Sequence, residues 1–269
     1  MTPNPSLAEL FVAAWPTILV IDVSRYLIAA AVLAAILAMF ATALASRRIQ
    51  SRTATSRDIR REILYSLSTA VLFSFVGFAV YAGSHYGVFR IYWGELPPVS
   101  RLLAEFVAVV VLHDAYFYWA HRAMHHRWLF RYVHRLHHKS RTPTPWAAYA
   151  FAPPEALLEA AIMPIASLVI PMHELTAFLF VTHMIVRNVI GHAGVEVFPG
   201  WWLRVPLLRS VTTTTHHDLH HQNGGYNFGL YFRWWDRWMG TEHPGYEFRF
   251  TAVAQSRCRL KTAVKETTK

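Results

Sequence analysis

HRAMH (His121–His125), HRLHH (His134–His138) and HDLHH (His217–His221) decide how this chain is read. With the flanking His113, His126 and His216, they gather eleven of the sixteen histidines into two short windows. Residues three and four apart on a helix share one face, so each box aims two or three imidazoles in one direction. Imidazole is a ligand for iron, zinc, copper and nickel. Three converging boxes supply about eight nitrogens, too many for one tetrahedral zinc and suited to two metals of higher coordination number. A lone histidine is ordinarily a surface or hydrogen-bonded core group, and His-rich low-complexity tracts lack regular spacing. Here H-x-x-H-H recurs after 83 residues, from His134 to His217. That regularity points to a designed donor set.

Working outward, the composition is 54% hydrophobic, 14% aromatic and only 16% charged over 269 residues. This suits one large domain, 1–269, of membrane character. The net charge of +10 raises nucleic acid as a partner, but the basic residues form no reading helix or recognised binding motif, so none is expected. They sit at the ends of apolar segments, the pattern of anionic-lipid contact and positive-inside topology. The single Cys258 excludes an internal disulfide and a thiolate metal site. No cleavable signal peptide is expected, because the apolar start lacks a basic n-region and a small-residue cleavage site.

The expected fold is all-α: a multi-span membrane bundle of four to five segments, with a cytosolic helical cap holding the histidines. Leu7–Val23 carries Glu9, Pro16 and Asp22 and reads as interfacial or half-inserted, with a full span as the alternative. Tyr26–Leu44 is uncharged and near the length that crosses about 30 Å of hydrocarbon. The loop after it, with Arg47, Arg48, Arg52, Arg57, Arg60 and Arg61, reads as cytoplasmic. Ile63–Gly87 is the second span; Val88–Ser100, with Tyr92 and Trp93, suits the outer interface. Leu102–Trp119 returns as the third, carrying His113 and Asp114 in its last turns, where ionisable groups are functional candidates by default. After the Pro-rich break Thr142–Pro154, the short runs Ala156–Ile170 and Glu174–Ile190 form a tilted hairpin or a re-entrant pair. Either way the chain goes in and comes back, which returns the third box to the side of the first two. Trp201–Val211 reads as an interfacial amphipathic segment, or else a helix packed on the cap. A basic, mobile tail is expected over 251–269. There is no CxxCH, ferredoxin cysteine set or dinucleotide fingerprint, so electrons must come from another protein.

On these residues the chain resembles the fatty acid hydroxylase and sterol desaturase superfamily of integral-membrane, non-haem dimetal enzymes. The similarity covers a core of 102–242, after N-terminal membrane segments in 1–101. It includes HDAYFYWAHRAMHH (113–126), HRLHHKS (134–140), AYAFAPPEA (148–156), GHAG (191–194), HHDLHH (216–221), NFG (227–229) and WWDRWMGT (234–241). One departure is Ala152, where many relatives carry a histidine before the proline.

The resemblance implies O2-dependent hydroxylation of an aliphatic carbon at two iron ions, with zinc a possible occupant after purification. It implies His121, His125, His134, His137, His138, His192, His217, His220 and His221 as metal ligands, with His113, His183 and His216 as further candidates. His183 reads equally as a hydrogen-bonded core group, and His126 as a ligand or a donor behind one; His85, His173 and His243 look structural. Asp114 is seven residues from His121 and nearly eclipsed with it, so its carboxylate is placed to accept the far N–H of a bound imidazole. Asp218 would serve the third box likewise, or simply cap a helix. The substrate should be a lipid from the bilayer, first an acyl chain and then a sterol or isoprenoid, with Trp119, Phe151, Glu155 and Asn227 along its channel. The electron donor would be an external reductase, ferredoxin or cytochrome. Desaturation begins with the same hydrogen abstraction and stays open. A phosphatase centre would need bridging carboxylates, and none lies in the boxes. A membrane metal-handling protein would place ionisable groups along several spans, whereas Tyr26–Leu44 and Ile63–Tyr81 have none.

Overall fold

The computed structural model describes residues 5–255. Ten helices follow in order: α1 Leu7–Met39, α2 Ala41–Leu44, α3 Ser56–His85, α4 Val99–Met124, α5 Pro153–Ala160, α6 Ile162–Val169, α7 Glu174–Gly191, α8 Thr214–Gln222, α9 Trp234–Trp238 and α10 Tyr246–Ala254. α1, α3, α4 and α7 are long and apolar enough to cross a membrane. Their outer faces carry exposed Val20, Ile28, Leu64, Phe75, Val107, Val111 and Leu179, the surface that lipid rather than water would cover.

Local chemistry sets the helix starts. Ser6 with Glu9, and Thr55 with Asp58, form reciprocal capping boxes at α1 and α3, each satisfying backbone donors that a helix end leaves bare. The expected break near Val23 does not occur: α1 is one helix of 33 residues from Leu7 to Met39. The charges that argued for a break are neutralised within it. Glu9 is consumed by the cap, and Asp22 pairs with Arg25 at 2.6 Å, one turn on. α5 and α6 have eight residues each, about 12 Å apiece and too short to cross. In tandem they nevertheless carry the chain away from the histidines. Met172–His173 pairs in parallel with Ile91–Tyr92 at the opposite end of the bundle, and α7 brings the chain back. The expected in-and-back parity therefore holds.

Three of the four core clusters among the described residues bear on the site. Tyr26 and Ala30 of α1 meet Tyr149, Phe151, Met184, Ile185 and Val189, with the Trp146 carbonyl accepting from Tyr26 Oη (3.0 Å) and Ser66 Oγ (2.9 Å). Val109, Val110 and Phe117 of α4 meet Ile162, Phe180 and Tyr231. At the histidine end, α8 packs through Leu219 on Tyr246, Phe250 and Ala254. This last contact revises the tail: Thr251–Ala254 belongs to α10, and the remainder beyond Gln255 lies outside the described residues.

Trp201–Val211 is no amphipathic helix. It forms two 3-10 turns, Trp202–Arg204 and Leu208–Ser210, with Trp202 packed into the α8–α10 cluster and Leu207 exposed. The basic loop after α1 is tied to the same end. Arg47 Nε donates to Glu196 O (2.7 Å), and Gln50 Nε2 donates to Asp218 Oδ1 (3.0 Å).

Gly229 closes the turn that brings the NFG segment under α4. A Cβ there would lie 2.5 Å from the Phe232 carbonyl oxygen, and backbone cannot yield as a side chain does. Gly229→Ala is expected to cost about 1–3 kcal/mol, read as an earlier thermal unfolding midpoint of the purified protein in detergent. An unchanged midpoint would show that the turn relaxes freely.

Candidate metal centre

The three boxes converge, and they sort into two donor sets. His121, His125, His134, His138 and His220 form one; His137, His192, His217 and His221 form the other; within each set the candidate ligand atoms all lie within 4.8 Å of one another. The H-x-x-H-H motif explains the sorting. Consecutive residues on a helical turn diverge by roughly 100°, so His137 and His138 serve different sets, as do His220 and His221. The sets therefore abut, with the His138 and His221 ring centroids 4.9 Å apart and those of His134 and His137 5.2 Å apart.

Hydrogen bonds on the far side of the rings fix the tautomers. His121 Nδ1 faces the Phe228 carbonyl at 2.9 Å, His220 Nδ1 the Tyr226 carbonyl at 2.7 Å, and His192 Nδ1 the Asn188 carbonyl at 2.8 Å. A carbonyl accepts only, so each Nδ1 carries the proton and each Nε2 a lone pair. His134 Nδ1 lies 2.6 Å from Glu155 Oε1. Burial, then neighbouring imidazoles, holds His134, His137, His217, His220 and His221 well below the usual imidazole pKa. They are neutral and free to donate.

These Nε2 atoms nevertheless crowd together. His121 and His134 approach to 3.0 Å, and His125, His138 and His220 stand 3.0–3.1 Å apart pairwise. In the second set His192 is 3.1–3.3 Å from His137, His217 and His221. Where both facing rings keep their proton on Nδ1, the lone pairs meet at these distances and repel. Two imidazole nitrogens on one cation, with bonds of about 2.1 Å at about 90–110°, would stand roughly 3.0–3.4 Å apart. The spacing is that of a coordination polyhedron's edge, and the donors fit a pair of nitrogen-preferring ions.

All nine histidines expected in the ligand set fall in these two groups; the further candidates do not. His113 Nδ1 bonds Tyr231 Oη at 2.9 Å, and His183 lies against Tyr231 and Phe106. His216 is buried 3.5 Å from Asp236 Oδ2. His126 stays outside both sets.

The carboxylates change roles. Asp114 touches no imidazole, because it accepts from the backbone N–H of Tyr231 and Phe232, both at 3.1 Å, and from Trp234 Nε1. Its spacing from His121 was correct, but the Tyr231–Trp234 loop reaches it first. Asp218 is held by Gln50 and Gln222, which ties α8 to the basic loop. The carboxylate that does reach a clustered imidazole, alone among the described residues, is Glu155, expected instead along a substrate channel. Asn227 is likewise no channel residue. Buried at a left-handed φ of 60°, it donates to His216 O (2.8 Å) and accepts from His243 N (2.7 Å). Trp119 is half-exposed on the outer face of α4, against Trp235 and Arg122. Phe151 does reach the site, its ring centroid 5.2 Å from that of His137.

Asp236 carries a role the sequence did not disclose. It accepts from Phe228 N and Gly229 N at 2.8 and 2.9 Å, fixing the segment whose carbonyls orient His121 and His220. NFG and WWDRWMGT marked both ends of this contact without revealing that they meet.

A family model described as "Fatty acid hydroxylase" matches residues 106–241, the stretch that contains both donor sets. The chain belongs to the fatty acid hydroxylase family. Three relatives illustrate its neighbourhood. A Delta(7)-sterol 5(6)-desaturase of Gibberella zeae is 36% identical over 143 residues, 53% of this chain and 42% of its own length. Methylsterol monooxygenase 1 of Danio rerio is 30% identical over 150 residues, 56% and 50% of the two chains. Lathosterol oxidase of Homo sapiens is 27% identical over 189 residues, 68% and 61%. The matched stretches thus span about half the length of these relatives. No solved structure matches the chain. The resemblance to the fatty acid hydroxylase and sterol desaturase superfamily, and the reading as a multi-pass membrane protein, are borne out.

Partners behind metal ligands commonly set affinity by about 10- to 100-fold. Glu155→Ala is expected to lower metal retention in a chelator titration by that factor. Asp114→Asn keeps an acceptor, touches no clustered ring, and should leave retention unchanged while lowering the unfolding midpoint. The reverse pattern would restore Asp114 as the partner of the site.

Proposed function

We propose that the chain is a membrane-bound di-iron oxygenase that inserts one oxygen of O2 into an aliphatic C–H bond of a lipid. The observation that carries this reading is the pair of abutting, almost entirely imidazole donor sets. His121, His125, His134, His138 and His220 would hold one ion, and His137, His192, His217 and His221 the other. Neutral donors leave bound cations strongly electrophilic, and only Glu155 offsets the charge through an imidazole. When bound, the iron pair would supply the redox chemistry that turns O2 and two electrons into an oxidant able to abstract hydrogen from carbon. The balance is C–H plus O2, two electrons and two protons, giving C–OH and water. The electrons would come from a separate reductase, ferredoxin or cytochrome.

The protein's own residues orient and shield. Phe228 lies against His121, His125 and His220, Phe117 against His121 and Phe151 against His137. This apolar collar shields the ring faces it covers from water that would quench an oxidant, while His125, His138 and His221 also line an open basic cleft. The loop bearing Arg47, Arg48 and Arg52 is fastened to this end of the bundle, and by the positive-inside rule the site faces the cytoplasm. The relatives' names favour a sterol or isoprenoid over the acyl chain that the sequence put first. A desaturase among them keeps loss of a second hydrogen as the alternative outcome of the same abstraction.

Purified protein is expected to hold two ions per chain, with His137→Ala and His220→Ala each losing at least one and abolishing turnover. Metal analysis beside lipid mass spectrometry of cells with and without the chain, scanning for species that gain one oxygen or lose two hydrogens, checks both. Full turnover in either variant, or activity restored by zinc alone, would remove the oxygenase reading.

A further inference from the structure

Glu159 stands apart from the machinery described so far. It lies on α5, one turn beyond Glu155, and is only 8% exposed. Among the described residues, no hydrogen bond or ion pair holds its carboxyl group. A buried carboxyl without a partner costs free energy that a leucine of similar size would not. The side chain faces a cavity of about 280 Å³, otherwise walled mainly by apolar groups such as Phe73, Val76, Met163, Val181 and Met184. The other charged groups on that wall are Asp22 and Arg25, already paired with each other, and Glu174 in the first turn of α7.

The chamber borders a second space at one end and the histidine cluster at the other. Ile21, Arg25 and Phe178 also line an apolar groove of about 600 Å³ between α1 and α7, on the lipid-facing side of the bundle. Arg25 sits over the Phe178 ring at 5.1 Å, at the neck between the two spaces. Toward the histidines, Tyr149 forms the chamber wall, and its ring neighbours Phe151, which abuts His137. Together the chamber and groove lie in the range of about 300–1,000 Å³ typical of small-molecule sites.

We propose that this chamber binds a chiefly apolar molecule carrying a single hydroxyl, and that Glu159 is the specificity-determining residue that hydrogen-bonds that hydroxyl. The tail would run out through the neck into the groove, so the polar end sits innermost and the carbons beside it lie nearest the donor sets. A neutral alcohol suits the site, since it completes the carboxyl's hydrogen bonding without bringing a charge into an apolar wall. The inference rests on the lipid-oxygenase reading for its biological setting, but binding is measured without turnover, so the two can fail separately.

The test is photo-crosslinking of the purified, metal-loaded full chain in detergent with two diazirine probes, a sterol and hexadecanol. Each is used beside its deoxy counterpart, in which hydrogen replaces the hydroxyl. With at least one probe, labelling of chamber peptides around Tyr149, Met163 and Val181 should exceed that of the deoxy form by about fivefold or more, the worth of one buried hydrogen bond. The excess should persist in Glu159→Gln, which still hydrogen-bonds, and vanish in Glu159→Leu. Glu159→Leu should also unfold no earlier than wild type, separating lost recognition from lost fold. Equal labelling by hydroxyl and deoxy forms in wild type would overturn the proposal, as would an excess that survives in Glu159→Leu. Loss of turnover or metal with this pattern intact would count against the oxygenase reading alone.

Discussion

Imidazole nitrogens crowded to about 3 Å from one another are the constraint around which this molecule is built. The Nδ1–carbonyl bonds of His121, His192 and His220 force the opposite nitrogen to present only a lone pair. Each Nε2 is then pressed to about 3 Å from its neighbours. Such an arrangement is costly by itself and favourable around cations. The bundle, the cap and the loop ties supply the rigidity that holds it.

That rigidity is distributed. Asp236 fixes the Phe228 segment and Asp114 fixes Tyr231 and Phe232, so one short stretch of chain is clamped from both sides beneath α4. Asn188 donates to Ala148 O while its own carbonyl receives His192, which couples the end of α7 to the Pro-rich turn. Gln50 and Gln222 hold Asp218. In each case the buried carboxylate or amide is satisfied by backbone or by a side chain other than a clustered imidazole, leaving the Nε2 atoms free to point inward.

Much of this was legible in the sequence. The spacing of the boxes pointed to grouped imidazoles, because three- and four-residue intervals have one geometric meaning on a helical turn, while His192 was legible only through the GHAG resemblance. Apolar length gave the spans and their parity. The roles of the carboxylates were not legible, since periodicity places Asp114 near His121 but says nothing of a loop more than a hundred residues later that claims it. Glu155 was read as channel lining because its partner, His134, lies across a Pro-rich turn whose path no local pattern reveals. The continuity of α1 was missed for a simpler reason: Asp22 was weighed without Arg25, which one turn of helix makes its partner in a neutral pair.

The adjacency of His137 with His138, and of His220 with His221, has a thermodynamic corollary. An ion in one seat would hold a ring whose backbone neighbour belongs to the other seat, so a shift at one would be passed to the other. Occupancy of the two seats is thereby linked, and reciprocally so. Filling one seat would then change the affinity of the other, so the count of doubly filled chains would not follow the supply of metal in simple proportion.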